Sequence, residues 1–369
     1  MSSSAEAGDR YALGHGTATL HVEHYDLELD YRVRRNRLDA TARLRVRTLE
    51  PVKALELDLA DLTVRTVAVT GATVARYRHR AGRLTVKLTE TLPTDSVVEV
   101  TVGYAGAPQP VDSPFGEVGW EELEDGVIVA SQPTGASSWF PCNDRPGDAS
   151  TYRTSITVEH PYRAHAHGTL TRQSSRGGTT TSVFEEHHPT PAYLATVQIG
   201  RYTEVVLATE PVLQRALVPE GQSALARTRL ARHAEIMRLF TELFGPYPLD
   251  EYTLVFTPDA LEIPVEAQGM AVFGSNHLRS DADDRLIPHE LAHQWFGNSV
   301  SVVTWQHIWL NEGFACYAEW LWSEASGVRA PTPWRASTMR DSPASARTSS
   351  SRTPASTTSS TTACTSAAP

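Results

Sequence analysis

The period of the hydrophobic pattern changes once along this 369-residue chain, near residue 205, and that change constrains the fold more than any single motif. From about residue 17 to 205, apolar and polar residues alternate: TATLHVEHYDLELDYRV, RLDATARLRVRTL, RLTVKLTETL, SVVEVTVGYAG, TYRTSITVEH and AYLATVQIGRYTEVV. Val, Thr, Ile and Tyr fill these runs, and Gly, Pro and Asp turns break them. Period two with these residues marks half-buried antiparallel strands. After a flexible N-terminus over 1–14, residues 15–208 are therefore expected to form an all-β domain, an antiparallel sandwich or curved sheet.

Downstream the spacing turns helical. Residues 223–244 place Leu225, Leu230, Ile236, Leu239, Phe240 and Leu243 near helical spacing, and Gly245 with Pro246 stops the run. Residues 251–257 (EYTLVFT) return to strand. Helices are predicted over 286–297 and 309–325, the second stopped by Gly327 and Pro331. A mixed α/β domain over 209–330 follows, which makes the chain a multi-domain α+β protein. The last 29 residues, from Asp341, hold 25 Ser, Thr, Ala or Pro and no Val, Leu, Ile, Phe, Tyr or Trp. Such a segment cannot bury a core. Residues 331–369 are expected to be a low-complexity tail, either disordered or read in a shifted frame.

Composition narrows the function classes. The net charge is −10 with no basic cluster, which argues against nucleic acid or an anionic membrane as partner. Cys142, Cys316 and Cys364 are too few and too far apart for a disulfide framework or a cysteine metal site. That usage fits a reducing compartment. The first thirty residues lack the basic and apolar regions of a signal peptide. No stretch approaches about 18 apolar residues in a row. The expected setting is cytoplasmic, with the oligomeric state left open.

His289-Glu290-Leu291-Ala292-His293 is an H-E-x-x-H motif inside a predicted helix. Histidines four residues apart share a helix face, so both imidazoles can reach one ion, with the glutamate placed to take a proton from water. A catalytic zinc site needs a third protein ligand. Glu312, nineteen residues after His293, lies in the first turn of the next helix and can complete a His, His, Glu set. Taken alone it reads equally as a first-turn carboxylate favoured by the helix dipole. Glu319, two turns further on the same face, reads either as a surface acid or as a carboxylate that orients a ligand histidine through its ring N–H.

HELAHQWFGNSV followed by WLNEGFA resembles the zinc aminopeptidases of the aminopeptidase N type, gluzincins that include the leukotriene A4 hydrolase branch. FGPYP (244–248) and SQPTGASSWFPCNDRP (131–146) extend the resemblance, which covers about residues 15–330. It implies a thermolysin-like catalytic domain, truncated here, that binds one Zn²⁺ through His289, His293 and Glu312 with Glu290 as general base. It also implies peptide substrates with a free N-terminus. The family's G-A-M-E-N motif aligns with Ile263-Pro264-Val265-Glu266-Ala267, where only the glutamate is kept. Glu266 would then face the substrate's α-ammonium, with Glu262 as the nearby competitor. Gln132 aligns with a substrate-contacting Gln or Glu, and otherwise reads as a strand-end side chain. Arg145 stands where the family has an acid.

The family also places a tyrosine shortly downstream, in a D-D-R-V-Y-K-R-G-A-like stretch, and none follows Tyr317. Read one base out of phase, the final TTACTSAAP can encode that stretch, with Thr365 in the tyrosine's place. Trp295, Phe296, Trp305, Trp309, Trp320 and Trp322 read as packing around the two helices, and Cys316 as a small buried residue.

Overall fold

A computed structural model describes residues 11–280 and 285–327. The expectations for residues 1–10 and for the tail from 328 onward, Thr365 included, lie outside the described residues.

The large sheet of the first domain has seven strands. In spatial order they are Thr169–Arg176, Thr179–Pro191, Ala149–Glu159, Leu20–Arg32, Arg37–Thr48, Val97–Gly106 and Thr63–Thr70. Alternation decides its faces: Leu20, Val22, Tyr25, Leu27, Leu29 and Tyr31 point into the core. Across the solvent face, Glu23 pairs with Arg45 and Arg47, and Asp26 with Arg43 and Arg153. The sheet is antiparallel except at its centre, where Leu20–Arg32 runs parallel to Ala149–Glu159. A parallel pair needs a long crossover, and here the intervening chain builds a three-stranded sheet, three strands of a five-stranded one and three more strands of the large sheet.

The smaller sheets are a three-stranded one, Val52–Asp58, Arg83–Leu92 and Val74–Arg80, and a five-stranded one. The latter runs Arg163–Ala166, Val197–Gly200, Gly126–Ala130, Gly116–Leu123 and Val111–Ser113. Trp120, Trp139, Phe140, Tyr25, Tyr104 and Tyr152 fill the space between layers. Phe140 meets Tyr25 and Trp139 edge-on, with ring centroids 5.3 and 4.4 Å apart, an arrangement aromatic quadrupoles favour. The FPCNDRP segment stitches the start of the first strand in place. Asn143 Oδ1 accepts from the Thr17 amide at 2.7 Å, and its Nδ2 donates to the Leu20 carbonyl at 3.2 Å. Arg145 donates to the Thr17 carbonyl at 3.2 Å, which gives that basic residue a structural task.

The second domain is built on five strands ordered Tyr202–Ala208, Leu213–Pro219, Glu251–Phe256, Met270–Phe273 and Val265–Ala267. Tyr202–Ala208 pairs with Leu213–Pro219, so the 208/209 division drawn from the sequence falls in the turn between two strands of one sheet. Alternation reports a half-buried strand but not the sheet it joins.

The single helix predicted over 223–244 is two, Ser223–Arg229 and His233–Phe244. No Gly or Pro marks the break. Tertiary contacts make it: His233 is buried against Tyr252 and hydrogen-bonded to Gln214 at 3.0 Å, while the Arg232 guanidinium lies over Trp322. The H-E-x-x-H helix spans Leu286–Ala292, and a long helix spans Trp309–Ser326. Both pack on Ile236, Met237, Phe240, Leu254 and Phe256 through Leu291, Ala292, Ala315 and Ala318. Trp295 is buried in the helix core as expected, Trp305 is buried instead against Tyr193 and Leu194, and Trp309 and Trp320 are 58% and 59% exposed. They lie on the outward side of the long helix, where its alanines do not reach. Cys316 is only half-buried.

The two domains meet through Ile128, Tyr202, Leu217, Val255, Ala267, Met270 and Val272. No described helix is long and apolar enough to cross a membrane.

His21 joins the first strand to Asp148 through a 2.5 Å hydrogen bond. That bond raises the imidazole pKa above its ordinary value of 6.5, against the opposing effect of burial. The pair's contribution to stability is therefore complete below about pH 6.5 and is lost as pH climbs through the raised value. The difference in thermal midpoint between the protein and a His21→Leu variant is expected to shrink from pH 6 to pH 9. A constant difference across that range would show that the pair carries no linkage.

Candidate metal centre

The site begins with helix geometry. In the helix Leu286–Ala292 and the helical turn that follows, His289 and His293 stack one turn apart, ring centroids 4.8 Å from each other. Both are buried, at 7% and 1% exposure. Each has its Nδ1 engaged: His289 with Glu319 Oε1 at 2.8 Å, and His293 with the Phe296 carbonyl at 3.1 Å. An Nδ1–H that donates to an oxygen leaves the Nε2 lone pair free, the tautomer a metal ligand needs. The two Nε2 atoms then face Glu312 Oε2, at 3.7 and 3.9 Å.

Gly297 permits this approach. Its φ of +126° suits glycine, and a Cβ there would stand 3.2 Å from Asn311 Nδ2 and 3.4 Å from His293 Nδ1.

The long helix supplies both acids. Glu312 sits in its first turn and Glu319 two turns on. Arg285 donates to both oxygens of Glu319, at 3.0 and 3.3 Å. No motif or spacing pointed to Arg285, which precedes the helix by one residue.

Glu266 comes from the edge strand Val265–Ala267 and joins the cluster from the opposite side. One ligand atom from each of Glu266, Glu290 and His293 falls within 4.8 Å of the others, as does one from each of His289, His293 and Glu312. Glu266 Oε1 and Glu290 Oε2 are buried with no hydrogen-bond partner. Glu262 is exposed and stands apart from the cluster. Ile263, at the place of the family's first glycine, is 65% exposed. Gln132, from the first domain, is close enough to Glu312 to help lower its pKa. Tyr193 is a first-domain residue that the sequence did not flag, and it lies beneath the site, donating to the Gly297 carbonyl at 3.4 Å.

Electrostatics follow from crowding. Burial pushes the Glu290 carboxyl well above the usual range, with Glu266, Glu312 and Glu319 adding to the shift and His289 opposing it. Glu266 moves up for the same first reason, partly countered by His293. Burial would also raise Glu312, but His289, His293 and Gln132 hold it below its ordinary value. His289 resists burial because Glu312 and Glu319 keep its proton on, raising its pKa well above 6.5.

Residues 21–194 match the peptidase M1 N-terminal domain, and residues 229–364 match the peptidase family M1 domain. The chain belongs to the M1 family of zinc metallopeptidases. Among solved structures, it is similar to the M1 zinc metallopeptidase from Deinococcus radiodurans, with TM-score 0.76 and 31% identity over 87% of this chain and 74% of that one. A mutant of that protein bound to a Tyr-Ser-Ala substrate gives TM-score 0.79 at 30% identity, covering 87% and 75%. Aminopeptidase M1-A of Oryza sativa is 28% identical over 212 residues, 54% of this chain and 24% of its own. Glutamyl aminopeptidase of Homo sapiens is 30% identical over 230 residues, 58% and 23%. The chain thus spans about a quarter of the length of these curated relatives.

The donor chemistry fits the zinc of that family: two imidazole nitrogens and a carboxylate, with unpartnered buried acids beside them. Partners of this kind fix a histidine's tautomer and raise its basicity, and losing one costs about 10–100-fold in metal affinity. Glu319→Gln is therefore expected to weaken zinc binding by about that factor in a chelator competition. Unchanged affinity would remove Glu319 from the site's support.

Proposed function

We propose that this chain is a zinc-dependent aminopeptidase that removes the first residue from peptides with a free N-terminus. The observation that carries the reading is the position of Glu266. An acid with an unpartnered buried oxygen stands within 4.8 Å of Glu290 and His293. A buried carboxylate without a partner is costly, and a substrate's α-ammonium supplies the missing charge. An internal peptide segment has no such group, so the same acid that welcomes an amino terminus rejects an endopeptidase substrate.

In this reading His289, His293 and Glu312 hold the zinc. When bound, zinc supplies a Lewis acid that polarises the scissile carbonyl and acidifies water. Glu290 takes the proton of the attacking water on its free Oε2 and passes it to the leaving amine. Its burial favours this use, because a carboxyl whose pKa is raised is a stronger base than an exposed one and holds the proton it takes until the leaving amine accepts it. Glu319 and Arg285 keep His289 oriented. Gln132, near enough to Glu312 to lower its pKa, is assigned to contact with the peptide's first residue, as the family resemblance implies. Three widely spaced cysteines suit a reducing, cytoplasmic setting.

One observation favours a second reading, a chain that keeps zinc or peptide binding without catalysis. Trp309, Phe314, Tyr317 and Trp320 are all at least 40% exposed on the helix that carries Glu312. Exposed aromatic stripes mark surfaces that belong against something else.

The deciding experiment measures release of p-nitroaniline from leucyl-p-nitroanilide by the zinc-loaded 369-residue chain, with and without chelator. Chelator-sensitive release is expected, and Glu290→Gln should lower kcat by about 10²–10⁴. Glu266→Ala should abolish the preference for free over acetylated amino termini. A folded, zinc-loaded chain that releases nothing would favour the second reading.

A further inference from the structure

Glu266 lies on a strand of three residues, Val265–Ala267, at the edge of its sheet and paired on one side only, with Met270–Phe273. So short an edge strand does not hold a side chain to a fraction of an ångström by its own ladder. Its support comes from the segment that carries the histidines. Gln294 Nε2 donates to the Ala267 carbonyl at 3.2 Å, and Gln294 Oε1 accepts from the Gly269 amide at 2.9 Å. Asn298 Nδ2 donates to the same Ala267 carbonyl at 2.8 Å and to Gln294 Oε1 at 3.1 Å. Gln294 and Asn298 are 0% and 2% exposed. Asn298 is itself fixed by its amide, which donates to the His293 carbonyl at 3.0 Å.

Adjacency gives these four bonds their meaning. Gln294 directly follows His293, and Ala267 directly follows Glu266. The clamp therefore joins a candidate metal ligand to the candidate ammonium anchor by one covalent step at each end. We infer that Gln294 and Asn298 are positioning residues that set the distance between the metal-binding histidines and Glu266, and so fix how many residues fit between the anchored amino terminus and the bond cut. Neither residue touches substrate. The inference rests on the aminopeptidase reading, because a distance from Glu266 matters only if Glu266 holds the ammonium.

The clamp makes a separable demand on the kinetics. Loosening it moves Glu266 while His289, Glu290, His293 and Glu312 stay on their helices. In Asn298→Ala and Gln294→Leu, KM for leucyl-p-nitroanilide is expected to rise about tenfold or more, since misplacement of a positioning group by an ångström can cost as much as 10²-fold. The kcat should stay within about threefold, and zinc content should not change. The uncharged Asn298→Leu and Gln294→Met, which remove the donors to Ala267 but keep close to the volume, guard against loss of folding. Unchanged KM, a fall confined to kcat, or loss of zinc would each overturn the inference, as would failure of all four variants to fold.

A second readout separates this from the reading beneath it: calorimetric affinity of the zinc-loaded chain for L-leucinamide against N-acetyl-L-leucinamide. A native chain that prefers the free amine, with variants that lose the preference, supports the clamp. Variants that keep it overturn the clamp alone, whereas a native chain without any preference overturns the ammonium-anchor reading first.

Discussion

Four carboxylates, those of Glu266, Glu290, Glu312 and Glu319, converge on two buried imidazoles, and the burial of that much negative charge is what the surrounding structure has to answer. An unpaired charge in a protein interior costs several kcal/mol even after relaxation. Arg285 meets one of the four directly. Glu312 and Glu319 raise the pKa of His289, and burial pushes Glu290 and Glu266 toward their neutral forms. A dication between the histidines and Glu312, together with one α-ammonium beside Glu266, would balance the remaining charge without protonation. On the aminopeptidase reading proposed above, two cations of different kinds complete the site, one resident and one arriving with the substrate.

That balance explains why the β domain is more than an attachment. Tyr193 donates to the Gly297 carbonyl, and the Leu194 carbonyl accepts from the Gln268 amide at 3.2 Å. Gln268 is two residues from Glu266. Each of these contacts crosses the seam formed by Ile128, Tyr202, Val255 and Met270. Buried polar groups need fixed partners, and a single α/β layer has too few sides to provide them around so compact a cluster.

Much of this was legible in the sequence because it depends on local period. Alternation marks a half-buried strand, and His289 with His293 declares a shared helix face, whatever lies far away. The parts that were not legible depend on distant partners. The parallel pairing of Leu20–Arg32 with Ala149–Glu159 joins segments separated by the other sheets. The helix break before His233 answers to Gln214 and Tyr252, with no breaker residue to announce it. Trp309 and Trp320 carry the same hydrophobicity as Trp295, and only packing tells the exposed pair from the buried one. Gln294 had a faint signal, four residues after Glu290 on one helical face, but nothing in the spacing pointed to Ala267 or Gly269.

The two halves of the site differ in how they are held, and the difference has consequences. The histidines and Glu290 sit on a helix whose Leu291 and Ala292 are sealed in the core with Phe240 and Leu254. Glu312 and Glu319 ride a helix seated by Ala315 and Ala318, whose outward face carries Trp309, Tyr317 and Trp320. Small alanines allow close approach of the two helices, which brings Glu319 within 2.8 Å of His289, but they bury little area to resist sliding. The Arg285–Glu319–His289 chain compensates by fixing the helix pair with directional bonds where apolar contact is thin. Polar contacts therefore hold both variable distances in the site: this chain between the two helices, and the Gln294–Asn298 amides between helix and edge strand. Hydrogen bonds lose strength steeply with misalignment, so they fix such distances more sharply than apolar packing of equal energy could.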